Sequence, residues 1–226
     1  MQIIFYFNKT NMSLVKTVEL NDLDSFFKDN SYLSIVKRNK PKKANIFFKE
    51  LVSKPFSIQV QVYKNSILES IQDVLNKNIS KIIINSSFYN VWIQDMVKIS
   101  KIYCNILNTD SICFSLDTTR SCKRFHIDNV PIRLLVTYHG IGTEWVPSDA
   151  CDYSAYYECK KNDKIIKNKK AIRFMKAWDI AIFKGNKLTG SEKGILHRTP
   201  DAAFYSPSLL MRLDDSSFFS SRNTSL

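Results

Sequence analysis

Histidine is scarce in this chain, with three in 226 residues, at positions 126, 139 and 197. Any centre built on imidazole must draw on those few. Cysteine is odd in number, and no two of Cys104, Cys113, Cys122, Cys151 and Cys159 are spaced as C-x-x-C. That argues against a disulfide framework and against a zinc ribbon. All five read as reduced thiols and mainly as small buried hydrophobes. Only Cys122, four residues before His126, lies near enough in sequence to approach a site there. No run nears the roughly 18 consecutive apolar residues of a membrane span. Ile3-Ile4-Phe5-Tyr6-Phe7 is too short, and lacks the basic lead-in, for a signal peptide. A cytoplasmic location is expected. No internal repeat and no linker rich in Gly and Pro divides the chain, so a single domain over 1–226 is the expectation.

What is present suffices for a large core, since 44% of the residues are hydrophobic. The formal charge is +12, and only eight of the 33 basic residues are Arg. Lysines cluster at 37–43 and 160–170 among Asn and Asp with few aromatics, a composition that suits solvated loops. A polyanionic partner such as nucleic acid stays open, because lysines neutralise phosphates without reading sequence. A small-molecule or peptide substrate is the other class.

Residues 1–110 read as helix-rich. Short strands are expected at Gln2–Phe7, Ser13–Val18, Tyr32–Val36, Phe56–Tyr63 and Lys81–Asn85, and helices at Ala44–Val52 and Ser66–Leu75. Acidic residues at Asn21-Asp22-Leu23-Asp24 mark a helix start. From Ser86 to Leu107, apolar residues at Phe88, Val91, Trp92, Met96, Ile99, Tyr103 and Ile106 make one wide helical stripe. After residue 110 the pattern changes to short β runs separated by turns, at Ile112–Leu116, Ile132–Tyr138, Tyr153–Glu158, Lys164–Ile166, Ala171–Met175, Ile180–Lys184, Gly194–His197 and Leu209–Leu213. The fold expected is α+β, a double-stranded β-helix (a jelly roll, cupin-like) over 111–214. The N-terminal helices would pack on its outside, and the tail 215–226 would be flexible.

The chemistry concentrates at Cys122-Lys-Arg-Phe-His126-Ile-Asp128-Asn129-Val-Pro131. His126 and Asp128 are two apart, so on an extended backbone both side chains leave one face and can meet one ion. His197, 69 residues beyond Asp128, stands in another short apolar run, Gly-Ile-Leu-His, and completes a two-His-one-carboxylate set. That set leaves positions open on a divalent metal, and with iron it is the arrangement of oxygenases that activate dioxygen. The rival reading for each histidine is a hydrogen-bonded core residue. Asn129 is placed to orient Asp128, and His139 reads as a turn or substrate-side residue.

An oxygenase using 2-oxoglutarate also needs a cation for the cosubstrate's distal carboxylate. Arg212, 15 residues after His197, is the candidate, with Arg198 and Arg133 as competitors and surface ion pairing to Asp214 or Asp215 as the plain alternative. Tyr138 and Arg198 are further cosubstrate-side candidates. Gly140-Ile141-Gly142-Thr143-Glu144-Trp145 lacks the third Gly and the following helix of a dinucleotide loop. It reads as a tight turn, or as a substrate lip with Thr143, Glu144 and Trp145 at the barrel mouth.

The runs from Cys122 to Trp145, from Trp178 to Gly185 and from His197 to Pro200 resemble a bacterial family described only as a domain of unknown function. The His-x-Asp, distal His and trailing Arg are in turn similar to the iron(II) and 2-oxoglutarate dioxygenase superfamily. That resemblance implies His126, Asp128 and His197 as ligands of Fe(II), and Arg212 for the cosubstrate carboxylate. Three functions follow as expectations: an Fe(II)- and 2-oxoglutarate-dependent oxygenase; a cupin-like protein without oxygenase activity that binds zinc or another metal through the same triad, with or without Cys122; and a basic nucleic-acid-binding protein.

Overall fold

The computed structural model describes residues 15–26, 28, 30–190 and 194–218. Its strands are β1 (Val15–Thr17), β2 (Leu33–Val36), β3 (Ser57–Tyr63), β4 (Ser111–Asp117), β5 (Ile132–His139), β6 (Glu144–Val146), β7 (Arg173–Phe174), β8 (Ile180–Lys184), β9 (Leu196–Arg198) and β10 (Leu209–Asp215). Helices are α1 (Ala44–Leu51), α2 (Ile67–Asn78), α3 (Lys81–Ile84), α4 (Tyr89–Leu107), α5 (Tyr153–Tyr157), α6 (Asn162–Ile165) and α7 (Asn186–Thr189). Seven strands form one sheet in the order β1-β2-β8-β5-β10-β4-β3, and β7-β6-β9 form a second. The architecture is mixed α and β.

Strand periodicity divides the large sheet into two chemical faces. Ile132, Leu134, Val136 and Tyr138 of β5, with Leu209, Met211 and Leu213 of β10, enter the main core beside α1, α2 and α4. The alternate residues, Leu135 and Ala181 with Phe183, turn the other way and pack with Trp145 and Met175 from the region of the small sheet. The polar side chains of β5 and β10, Arg133, Arg212 and Asp214, share that second face. A third apolar cluster joins Phe125, Ile127, Val146 and Leu196 to Cys151, Ile165 and Ile166 of the insertion between β6 and β7.

The helical face is held by aromatic packing. Trp92 of α4 meets Phe47 and Phe48 of α1 edge-on at 5.6 Å, and Tyr138 stacks on Phe48 at 5.8 Å. The α4 stripe ends at Asn108, whose left-handed backbone (φ 49°) caps the helix with bonds to the Asn105 and Cys104 carbonyls.

Three expected strands are helical instead, each for a local reason. At Lys81–Asn85 the hydroxyl of Ser80 accepts from the Ile83 N–H, and only Ile83 of this turn is buried, Ile82 facing solvent. At Tyr153–Glu158 the Asp152 carboxylate accepts from Ala155 N–H, so a capped turn overrides the β preference of three tyrosines. Around Lys164–Ile166 the chain forms α6, and only Ile166 makes a bridge, with Cys151. Residues 144–146, read as turn or lip, are the central strand of the small sheet. The helix start at residue 21 is a 3-10 turn over Leu20–Ser25. Gln2–Phe7, Ser13 with Leu14, and 219–226 of the tail lie outside the described residues.

Gly185, at the end of β8, donates its N–H to Pro131 O at 2.8 Å. A Cβ there would meet the carbonyl oxygens of Val130 and Asp128, the latter at 2.6 Å. The missing side chain lets β8 abut the segment that carries Asp128.

Truncating the aromatic core tests this account of the helical face. Phe48→Ala is expected to cost about 3–5 kcal/mol, the usual range for deleting a buried aromatic. Ile46→Ala, on the same helix but 81% exposed, should stay within about 0.5 kcal/mol. Denaturant unfolding of both variants measures the difference, and equal losses would contradict the assigned faces.

Candidate metal centre

Two backbone hydrogen bonds build this site. His126 N–H donates to His197 O at 3.0 Å and His197 N–H to His126 O at 3.1 Å, an isolated antiparallel bridge. Directly opposed residues in such a pair project on the same side of the ladder, so the imidazoles lie together, ring centroids 4.6 Å apart. Asp128, two residues on, joins the same face. Phe125 and Ile127 take the opposite one and enter the third apolar cluster. Ligand atoms of His126, Asp128 and His197 all fall within 4.8 Å of one another, the group that among the described residues could hold a metal ion.

Each ring is oriented by a second bond. His126 Nδ1 lies 2.9 Å from Arg124 O, and His197 Nδ1 lies 3.1 Å from Ile195 O. A carbonyl only accepts, so both Nδ1 atoms carry the proton. Both Nε2 atoms then point at the carboxylate, His126 at 3.5 Å from Oδ1 and His197 at 3.1 Å from Oδ2. This is the orientation in which imidazole binds metals, its other nitrogen tied to a backbone carbonyl. The Phe183 ring lies 4.4 Å from that of His197, walling it from the sheet side.

Asp128 is almost wholly buried, and its Oδ2 has no hydrogen-bond donor. Lone pairs of two imidazoles and a carboxylate converging around a buried, undonated oxygen call for a cation between them. The donor set fits a divalent metal. Without one, a proton serves. Burial disfavours the His126 cation, but hydrogen bonds to Asp128 and Cys122 and the Asp128 charge outweigh it and raise the pKa to about 10. Burial likewise opposes Asp128 ionisation, and the neighbouring His197 and Arg133 overcome it, holding the carboxyl well below its usual range.

Behind the triad stands a buried ion network. The Arg133 guanidinium donates to Asp128 Oδ1 and, through Nε at 2.7 Å, to Asp214 Oδ1. Asp214 is fully buried and also lies 3.1 Å from Arg212 Nε. Burial raises the Asp214 pKa in spite of both guanidiniums. Arg212 donates further to Ser115 Oγ at 3.2 Å. Triad and arginines together line a cleft of about 50 Å³, with Arg120, Arg198, Cys122, Thr143, Thr199, Leu135 and Leu210.

The other candidates fall in different places. Tyr138 is corrected as a cosubstrate residue: five positions from Arg133, it must face the opposite side of β5, where it is buried and donates to Asp95 Oδ2 at 2.8 Å. Arg198 lines the cleft with its charge already met by Glu144 and by Asp201 at 3.0 Å. Glu144 is thus a buried counter-ion, not an open acid at the mouth. Trp145 lies opposite His197 in the small sheet and is buried in the second cluster. Asn129 is exposed. His139, at the end of β5, and Cys122, hydrogen-bonded to His126, stand outside the convergent group. Thr143, read with the lip, lines the cleft. Arg120 went unread as a cleft residue, its only signal the crowding of arginine between 120 and 212.

No helix among the described residues is long and apolar enough to cross a membrane. Solved structures similar to the chain include a candidate oxygenase from Shewanella oneidensis, 13% identical, with a TM-score of 0.38 over 92% of this chain and 97% of that one. Another is a bsmA homologue from Methylobium petroleophilum PM1, 8% identical, with a TM-score of 0.38 over 81% and 88%. A third is a full-length Neurospora crassa protein in complex with alpha-KG, 9% identical, with a TM-score of 0.33 over 81% and 75%. Overlaps this loose say nothing of the chemistry here. No curated protein matches the chain. A family model does match, over residues 18–214: the chain belongs to the DUF1826 family, described as a protein of unknown function.

Proposed function

We propose that this protein is an Fe(II)- and 2-oxoglutarate-dependent oxygenase. The observation that carries the reading is the convergence of His126 Nε2, Asp128 and His197 Nε2 around a buried carboxylate oxygen with no donor. Three protein ligands on one side leave the rest of a six-coordinate ion open, as dioxygen chemistry requires, whereas a structural zinc site would close with a fourth. Cys122, the fourth ligand available nearby, stands outside the group, which favours the open site over the zinc reading.

The fold is read as a double-stranded β-helix forming one unit with its helices. Support comes from the strand order. The chain runs from β4 in the large sheet to the His126 bridge beside the small one, back to β5, out to β6 and β7, back to β8, out to β9 and home to β10. Such alternation winds two sheets into one barrel with the triad between them.

Iron bound there supplies the centre for dioxygen activation and for chelating a 2-oxo acid. The protein's own groups do the rest. Arg124 O and Ile195 O fix the ring tautomers, Arg133 holds Asp128 ionised and in place, and Phe183 excludes water from one side of His197. Arg212, whose Nη2 reaches only Ser115 Oγ, offers the cation for the cosubstrate's distal carboxylate.

Anaerobic addition of Fe(II) and 2-oxoglutarate to the purified protein should give a weak visible charge-transfer band. His197→Ala should abolish both band and metal uptake, measured by elemental analysis after gel filtration. Zinc retained with no band would favour the closed-site reading, and unchanged metal content in the variant would remove the site.

The pKa of His126 gives a second test. Raised from 6.5 to about 10, it makes the protonated pair with Asp128 stabilising below the ordinary imidazole value, and that stability is lost as pH rises through about 10. Thermal unfolding of the metal-free protein should therefore fall across that interval. A metal must displace the proton, so apparent metal affinity should rise with pH there, about tenfold per unit for one proton exchanged. Calorimetry in buffers of different ionisation enthalpy would count the proton; a count of zero contradicts the assignment.

A further inference from the structure

One of the four guanidiniums in the cleft has no acid in direct contact. Of its four guanidiniums, Arg133 is paired with Asp128 and Asp214, Arg212 with Asp214, and Arg198 with Glu144 and Asp201. Arg120 has no carboxylate within ion-pair distance among the described residues, Asp117 acting on it only from farther off. Its Nη1 donates to Ile141 O and its Nη2 to Thr143 Oγ1, both at 3.2 Å. These are neutral acceptors. They orient the guanidinium without balancing it, and three of its five N–H donors are left over. The other three guanidiniums share four carboxylates, Asp128, Asp214, Glu144 and the exposed Asp201, so the unmatched donors are those of Arg120.

A partly buried cation without a counter-ion is costly unless something anionic meets it. Arg120 is tied to the connection between β5 and β6, whereas Arg133 and Arg212 rise from the sheet floor. On the proposed function, a divalent iron and a doubly charged 2-oxo diacid cancel each other. Arg120 is then the one of the four guanidiniums with donors left for a third party.

We propose that Arg120, set by Thr143 and the Ile141 carbonyl, binds an oxyanion of the substrate, a carboxylate or a phosphate, so that the molecule oxidised here is an acid held with its anionic end at the cleft wall. Where the reactive end points rests on the proposed function. The anion site itself rests only on Arg120 and its surroundings. A planar guanidinium with free N–H groups suits two oxygens of one carboxylate or phosphate, a match lysine's point charge cannot reproduce.

The test uses acetate and inorganic phosphate as probes, titrated into full-length protein with and without metal and followed by NMR shifts of backbone amides. Wild type should bind at least one probe saturably, and the stronger of the two identifies the kind of acid. Arg120→Met should weaken that binding about tenfold or more, the worth of a charge-assisted bond, and Arg120→Lys should restore part of it. Thr143→Val, which removes one orienting contact but no charge, serves as the milder variant should Arg120→Met not fold, and is expected to weaken the same probe. Affinity for 2-oxoglutarate, read from the charge-transfer band, should not change in any of them. Probe binding that is absent, or indifferent to residues 120 and 143, overturns the proposal. So does a loss confined to 2-oxoglutarate, which would make Arg120 a cosubstrate residue. A wild-type protein that takes up no metal yet binds the probes through Arg120 would sink the oxygenase reading and leave the anion site standing.

Discussion

Everything at this centre depends on one antiparallel bridge. The paired N–H to carbonyl bonds between residues 126 and 197 bring together two histidines far apart in sequence, and bring them together facing the same way. A slip of one residue in this register would turn His126 outward and bring Phe125 or Ile127 inward. The apolar cluster beneath the insertion guards against that slip, since Phe125 and Ile127 are buried there with Ile165 and Ile166. Asn162 pins the same segment, its side chain accepting from Phe125 N–H and donating to Lys123 O. The insertion thus has a mechanical role: it holds the outer face of a strand whose inner face carries the ligands.

The large sheet divides labour in the same way. Its helical face is apolar and aromatic, and its other face bears Arg133, Arg212 and Asp214 at positions alternating with core residues. Buried charges of this kind add little to stability, because desolvation offsets most of the Coulomb attraction. Their arrangement makes sense as positioning. Arg133 links Asp128 to Asp214, so the ligand carboxylate is anchored to β10 as well as to its own loop.

The two-residue spacing of His126 and Asp128 was legible because strand alternation is local and needs no tertiary knowledge. The long α4 stripe and strands such as β8 and β10 were legible for the same reason. Tyr138 shows where reading by neighbourhood fails. It is near the motif in sequence, yet counting by twos from Arg133 along β5 would have placed it on the far face. The strands read at 81–85 and 153–158 failed because single capping side chains, Ser80 and Asp152, decided the local conformation over the β preference of Ile and Tyr. Arg212 was read as having either a surface acid or a ligand carboxylate for a partner. Its acid is Asp214; spacing along one strand suggests that pair, but only the assembled sheets bury it. The lack of an acid in direct contact with Arg120 among the described residues is likewise a property of the assembled cleft, and no pattern along the chain encodes it.

The burial of Asp128 between two imidazoles explains why the protonation of His126 matters to the fold as well as to the chemistry. A buried carboxylate faced by two imidazole lone pairs would be an electrostatic fault in the metal-free protein. The proton on His126 repairs it by supplying the positive charge that a metal supplies otherwise. Proton and metal are therefore alternative occupants of one position. The same geometry that makes the apo site tolerable sets the pH range over which a divalent ion must compete for it. An arrangement selected only for packing would have no reason to keep that competition, since an amide or an apolar side chain at 128 would remove the fault outright.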